Sequence, residues 1–140
     1  VVDEAHLLEP KTLVDLRVLI SSIDETLSLK ILLCGQEKLS QTLKRSSHAD
    51  LLHRINLQFS LRPMSKNKTF LYIDSRIKKA GGQEKTFEPM AKDLIHDYTG
   101  GVPRQVNNVC TACLLNAAAR GVKIITEALV NETMSEFHLP

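Results

Sequence analysis

The apolar residues keep two different rhythms on either side of Pro63, and that change constrains the fold more than any other feature of the sequence. Before it come short runs with the length and make-up of strands, each followed by a helical stretch. Val1-Val2 ends at two carboxylates, in the manner of the last turn of a buried strand. Ile31-Leu32-Leu33-Cys34, closed by Gly35, is wholly apolar, as expected of a strand covered on both faces of a parallel sheet. Ile55, Leu57, Phe59 and Leu61 alternate with Asn56, Gln58 and Ser60 in period two up to Pro63. Between these runs, Pro10 opens an amphipathic helix over 10–24, with Leu13, Leu16, Leu19, Ile20 and Ile23 at helical spacing. Glu37 to Lys44 reads as a second, short helix, and Leu51-Leu52-His53-Arg54 as a helical turn. The alternation predicts an α/β fold: three strands of a parallel sheet, at Val1-Val2, 29–34 and 55–61.

Beyond Pro63 the rhythm is helical throughout. Ser65 is placed to cap a helix carrying Phe70, Leu71, Ile73 and Ile77 and ending near Gly81-Gly82. A second helix runs from about Glu88 to Tyr98, stopped by Gly100-Gly101. Pro103 opens a long helix through Val106, Val109, Cys110, Leu114 and Ala117, and Thr126 caps a last one ending near Phe137. The predicted organisation is therefore an α/β region over 1–63 and an all-helical region over 64–140.

Composition excludes several function classes. With 43% apolar residues in 140, the chain can fill a core, so whole-chain disorder is excluded. No run approaches the ~18–20 uninterrupted apolar residues a membrane helix needs, the longest being broken by Arg17, Lys30 and Arg120. Three cysteines are too few, and odd in number, for a disulfide framework, which points to a reducing, cytoplasmic setting. Val1 is neither an initiator Met nor the start of a signal-peptide layout, so the chain reads as cut from something longer. Net charge is only +2, but Lys44 to Lys85 holds ten Lys/Arg against Asp50, Asp74 and Glu84. That local surplus suits phosphates, although a solvated basic face is the commoner outcome.

Four places can carry chemistry. A strand delivering Asp3 and Glu4 at its end suits ATP hydrolysis: the first carboxylate holds Mg²⁺, usually through water, and the second polarises the attacking water. An acidic loop after any strand looks the same. Gln36, after the second strand, is a neutral polar group that can orient that water, or simply a turn residue. Arg54 can reach a neighbouring subunit's nucleotide, or be an ordinary surface arginine. In Gly100-Gly101-Val102-Pro103-Arg104 the glycines permit a close turn and Arg104 sits in the first turn of a helix, where charge and free amides together favour an anion.

Taken together, Asp3-Glu4-Ala5-His6-Leu7-Leu8, Leu33-Cys34-Gly35-Gln36-Glu37-Lys38-Leu39, Leu52-His53-Arg54-Ile55, Ile77-Lys78-Lys79-Ala80-Gly81 and Gly101-Val102-Pro103-Arg104-Gln105-Val106-Asn107 resemble an AAA+ ATPase. Their order and wording are similar to the ExeA/GspA type secretion ATPases and to the transposase-associated TniB and TnsC groups. The resemblance spans Val1 to about Leu129. It implies a partial parallel-sheet core lacking the strand that leads to the phosphate loop, followed by a helical lid. It also implies Walker B at Asp3 and Glu4, sensor 1 at Gln36, sensor 2 at Arg104, and a trans-acting arginine finger at Arg54, with Arg45 a poorer alternative. ATP and Mg²⁺ follow as ligands, with Asp3 toward the metal and Gln36 and Arg104 toward the nucleotide. A head-to-tail ring or filament follows as the assembly. The role implied first is that of a DNA-associated helper of a transposase, with duplex DNA and the transposase as partners; the alternative is an ATPase energising type II secretion or pilus assembly, with an inner-membrane component as partner. A non-catalytic helical interaction module is the third reading.

One departure is large. None of the six glycines is followed by Lys, so Gly-x-x-x-x-Gly-Lys-Ser/Thr is absent from the sequence; Gly82-Gln83-Glu84-Lys85-Thr86 has the wrong spacing and follows no strand. The given 140 residues are therefore expected to be inactive alone, with an unsettled first half. Asp3-Glu4-Ala5-His6 also spells the box of DEAH helicases, but the Ser-Ala-Thr motif that those enzymes need on the next strand is replaced by Cys34-Gly35-Gln36. Cys110 and Cys113 lie inside a helix without two further zinc ligands nearby and read as small buried residues. Phe70 and Tyr72, amid basic residues 62–79, read as core rings of a helix more readily than as a DNA-facing strip.

Overall fold

The computed structural model describes residues 1–22 and 29–136. They form two compact units, Val1–Ser60 and Leu61–Pro140.

In the first unit, Val2 and Leu33 form a parallel bridge. Val2 N donates to Leu32 O (2.8 Å), Cys34 N to Val2 O (2.8 Å) and Ala5 N to Cys34 O (2.7 Å). A 3₁₀ turn, Ala5–Leu7, leads to α1 (Pro10–Ser22). Proline at the first helical position forfeits no bond, because that amide has no intrahelical acceptor. Leu13 is buried, with Leu16 and Ile20 packed beside it; Ile23 and Asp24, also expected in this helix, lie outside the described residues. Helix α2 (Glu37–Leu43) buries Leu39 and Leu43, four residues apart on one face. A 3₁₀ turn, Ser46–His48, leads to α3 (Ala49–Leu52), which buries Leu51. The core of this unit is small: Ala5, Leu13, Leu39, Leu43 and Leu51.

The expected three-stranded parallel sheet is not formed among the described residues; the Val2–Leu33 bridge is its whole extent here. Residues 55–61 have no strand structure, and Leu57 (91%), Phe59 (87%) and Leu61 (90%) are exposed. The α/β expectation is thus corrected. Period-two alternation makes a strand only where a neighbour takes up its amides and carbonyls and a layer covers its apolar face. Among the described residues Ile55 alone of the alternating apolar set packs against the core, and its amide is taken by Leu52 O within a turn (3.1 Å) rather than by a neighbouring strand.

The second unit is helical: α4 (Lys66–Lys79), a 3₁₀ turn Glu84–Thr86, α5 (Pro89–Thr99), α6 (Pro103–Ala119) and α7 (Glu127–Glu136). Ser65 occupies the N-cap position of α4 but its hydroxyl makes no cap; its carbonyl instead accepts from Thr69 N (2.8 Å) and Thr69 Oγ1 (3.2 Å). Gly100, in the left-handed region at φ 55°, ends α5. Thr126 Oγ1 caps α7 by accepting from Leu129 N at 3.3 Å; Phe137, its expected end, lies outside the described residues. Phe87 and Ile125 form a parallel bridge that ties the segment before α5 to the segment before α7. The core joins Ile73, Phe87, Ala91, Ile95, Val106, Val109, Cys113, Ala117, Ile125, Leu129 and Val130. At about 1.5–3 kcal/mol for each fully buried large apolar side chain, this core outweighs that of the first unit. Lys92, 8% exposed, is tolerated at its edge because Nζ donates to Asp74 Oδ1 at 2.5 Å. No helix among the described residues is long and apolar enough to cross a membrane.

Met64 N donates to Gly101 O at 2.9 Å, and the two backbones meet so closely that a Cβ on Gly101 would stand 2.0 Å from Met64 O. Gly101 also has φ +74°, whereas Gly100 (φ +55°) has open space where its Cβ would be. Gly101→Ala is therefore expected to destabilise the protein by about 3 kcal/mol, combining overlap with left-handed strain. Gly100→Ala should cost only about 1 kcal/mol. Denaturant midpoints of the two variants check the contrast.

Cys113 is buried and Cys110 partly so. Burial first, and the neighbouring Cys113 second, push the Cys110 thiol from 9.0 to about 12. Burial likewise pushes Cys113 up to about 11, against a smaller downward pull from its hydrogen bond with Thr133. Both therefore keep their protons at neutral pH. The folded thiols hold a proton to higher pH than the unfolded ones, so this contribution to stability is complete below 9.0 and is lost as pH rises through about 11 and 12. Replacing both with Ala should flatten the fall of the denaturation midpoint above pH ~9.

Candidate functional site

Asp3 and Glu4 leave the bridged residue Val2 just as Gln36 follows Leu33 and Cys34. In parallel pairing both chains run the same way, so the residues beyond the two bridged positions emerge at one edge. The backbone turns sharply at Glu4, whose φ of 51° and ψ of 33° are left-handed; it is the one non-glycine with positive φ among the described residues. This conformation costs on the order of 1–2 kcal/mol without glycine. It is steadied from both sides: Asp3 Oδ1 accepts the Glu4 N–H at 2.9 Å, and Ala5 N is held by Cys34 O. Both carboxylates remain exposed.

His6 joins the two edges. Its Nδ1 lies 3.3 Å from Glu4 Oε2 and 3.4 Å from Gln36 N. Asp3, Glu4 and Gln36 are thus brought together, with an imidazole between Glu4 and Gln36 whose side chain is only 7% exposed. Sequence reasoning assigned no role to His6. The available signal was its spacing of two from Glu4 directly after a strand end, but its nearness to Gln36 cannot be read from spacing.

For a divalent cation the fit is that of a single hard ligand. One Asp3 oxygen is engaged by the Glu4 amide, leaving the other for a water-mediated contact, as Mg²⁺ with its retained waters favours. No cluster of three or more His, Cys, Asp or Glu able to hold a metal occurs among the described residues, so the remaining ligands to Mg²⁺ would be water and phosphate oxygens.

Arg54 lies just past α3, its amide donating to Leu51 O at 3.0 Å. It lines a shallow cleft of about 560 Å³ with Arg17, Val18, Ser21, Asp50 and His53, a cleft that Asp3, Glu4 and Gln36 do not line. Arg17 Nη1 is bound to Asp50 Oδ2 at 2.8 Å, so the other guanidinium of this cleft is already partly neutralised. Arg45 precedes the Ser46–His48 turn and is exposed.

Arg104, in the second unit, is exposed in the first turn of α6. The first amide held within that helix is that of Val106, which donates to Val102 O at 2.9 Å. The amides of Arg104 and Gln105 therefore stand at the positive end of the helix beside the guanidinium. The close Gly101–Met64 contact fixes the turn that presents them. Tyr72 OH donates to Asn107 Oδ1 (3.1 Å) and Phe70 lies 6.0 Å from Lys92 Nζ, so both rings engage the helical unit.

No family model matches the chain. General secretion pathway protein A of Aeromonas hydrophila is 36% identical to it over 121 residues, a match that takes in 86% of the chain and 22% of that protein. The chain thus spans about a fifth of this relative's length. An acidic pair beside a glutamine at one bridged edge, and an arginine at a helix N-terminus, lie within a chain that is similar over most of its length to part of a general secretion pathway protein A.

Proposed function

We propose that the chain is the part of an AAA+ ATPase, of the ExeA/GspA type, that begins at the Walker B carboxylates. The observation that carries this reading is the parallel Val2–Leu33 bridge, which brings Asp3 and Glu4 beside Gln36. Residues 1–63 contribute the hydrolytic groups and residues 64–140 a helical lid.

In this reading ATP is the substrate, and Mg²⁺ supplies charge neutralisation of its phosphates when bound. Asp3 would hold that ion through water, with the carboxylate oxygen that the Glu4 amide does not engage. Glu4 accepts a proton from the attacking water, and Gln36 directs that water at the γ-phosphate. Arg104 meets the phosphates from the lid of the same subunit, adding formal charge to the helix dipole. Arg54 is exposed, as a finger completing the neighbour's site must be, which implies a head-to-tail ring or filament. Turnover then changes the angle between subunits and their affinity for a partner.

The role favoured is energising type II secretion or pilus assembly from the cytoplasmic side of the inner membrane, supported by the name of the relative. The basic surplus between Lys44 and Lys85 supports a second role, as a DNA-bound helper of a transposase. Salt-sensitive binding to duplex DNA separates the second role from the first.

The test uses the product of the whole reading frame. Its ~100 codons upstream of Val1 are expected to encode a strand followed by Gly-x-x-x-x-Gly-Lys-Ser/Thr. That protein should hydrolyse ATP with Mg²⁺, and Glu4→Gln should lower turnover by at least ~10²-fold while nucleotide binding persists. Arg54→Ala should also be inactive, yet mixing it with Glu4→Gln should restore part of the activity, because each supplies what the other's site lacks. Unchanged turnover in Glu4→Gln would remove Glu4 from the mechanism, and no recovery on mixing would remove the shared site.

A further inference from the structure

We propose that His6 is a positioning residue that links the hydrolytic glutamate to the sensor loop through one nitrogen, its Nδ1 standing 3.3 Å from Glu4 Oε2 and 3.4 Å from Gln36 N. The inference rests on the ATPase reading and names a residue which that reading does not use.

The argument is one of hydrogen-bond valence. A ring nitrogen either carries a proton and donates, or is bare and accepts. Glu4, as a carboxylate, can only accept from Nδ1; the Gln36 amide can only donate to it. The two contacts therefore exclude each other: the Glu4 contact needs a proton on Nδ1, whereas the Gln36 contact needs Nδ1 bare. With the proton on Nδ1, the Glu4 carboxylate is held and its Oε2 is occupied. With the proton on the other nitrogen, Nδ1 accepts from Gln36 N–H, and Glu4 is released to take a proton from water. Movement of Gln36 against the γ-phosphate thus changes which tautomer is favoured and, with it, whether the base is free.

The surroundings are built for this contact. The imidazole is 7% exposed whereas the Glu4 side chain is 63% exposed, so the ring is the fixed member and the carboxylate the movable one. Gly35 allows the approach: a Cβ there would stand 3.0 Å from His6 N and 3.4 Å from Nδ1. The left-handed turn at Glu4 brings its side chain back toward the ring two residues later.

The experiment compares His6→Ala, His6→Phe and His6→Asn with Glu4→Gln in the product of the whole reading frame. Asn places an oxygen or an NH₂ near the position of Nδ1, while Phe keeps ring volume and removes the nitrogen. The expected result is a kcat lowered ~10- to 100-fold in His6→Ala and His6→Phe, with KM for ATP and melting temperature little changed. Recovery to within ~3-fold of the parent is expected in His6→Asn, whose amide carries both a donor and an acceptor. A fully active His6→Phe, or a His6→Asn no better than His6→Phe, overturns the proposal. If Glu4→Gln is dead in the same assay, that outcome sinks only the role of His6. A parent protein that binds but never hydrolyses ATP sinks the ATPase reading and the role of His6 together.

Discussion

Three backbone hydrogen bonds, from Val2 to Leu32, from Cys34 to Val2 and from Ala5 to Cys34, hold the ends of two segments that are far apart in sequence. The placing of Asp3 and Glu4 beside Gln36 depends on them. They set the parallel register, and register decides that the carboxylates and Gln36 leave at the same edge. They also oppose the left-handed strain at Glu4, since the amide after the turn is tied to the partner segment. A slip of one residue would send alternate side chains to the opposite face and part Glu4 from Gln36.

The two units differ in how much holds them. The first buries Ala5, three leucines on its first two helices and Leu51 from a single helical turn. The second buries a contiguous core built on all four of its helices, and a parallel bridge at Phe87 and Ile125 closes it. Rigidity is thus concentrated where Arg104 is presented, at a helix whose preceding turn is locked by the Gly101–Met64 contact. The carboxylates, by contrast, are exposed at the edge of a smaller core.

Helices were legible because their signals are local. Pro10, Pro89 and Pro103 stand at the first position of their helices, Gly100 stops α5 in the left-handed region, and the Thr126 hydroxyl caps α7. Ser65 shows the limit of such reasoning: it occupies the right position but uses its carbonyl rather than its hydroxyl. The segment 55–61 shows a larger one. Its alternation is as clean as any in the chain, yet it forms no strand, because the hydrogen-bonding partner that alternation presupposes is not among the described residues.

By itself the sequence determined where α1, α5 and α6 start and where α5 stops, which residues could bear charge or a proton, and that Arg104 would lie in the first turn of a helix, since each of these depends on neighbours within a turn or two. The tertiary structure alone decided that the strand-like stretches would yield one bridge instead of a sheet. It also decided that His6 would stand between Glu4 and Gln36. Both outcomes turn on pairing between segments distant along the chain, where backbone hydrogen bonds need a specific partner and no local pattern can supply one.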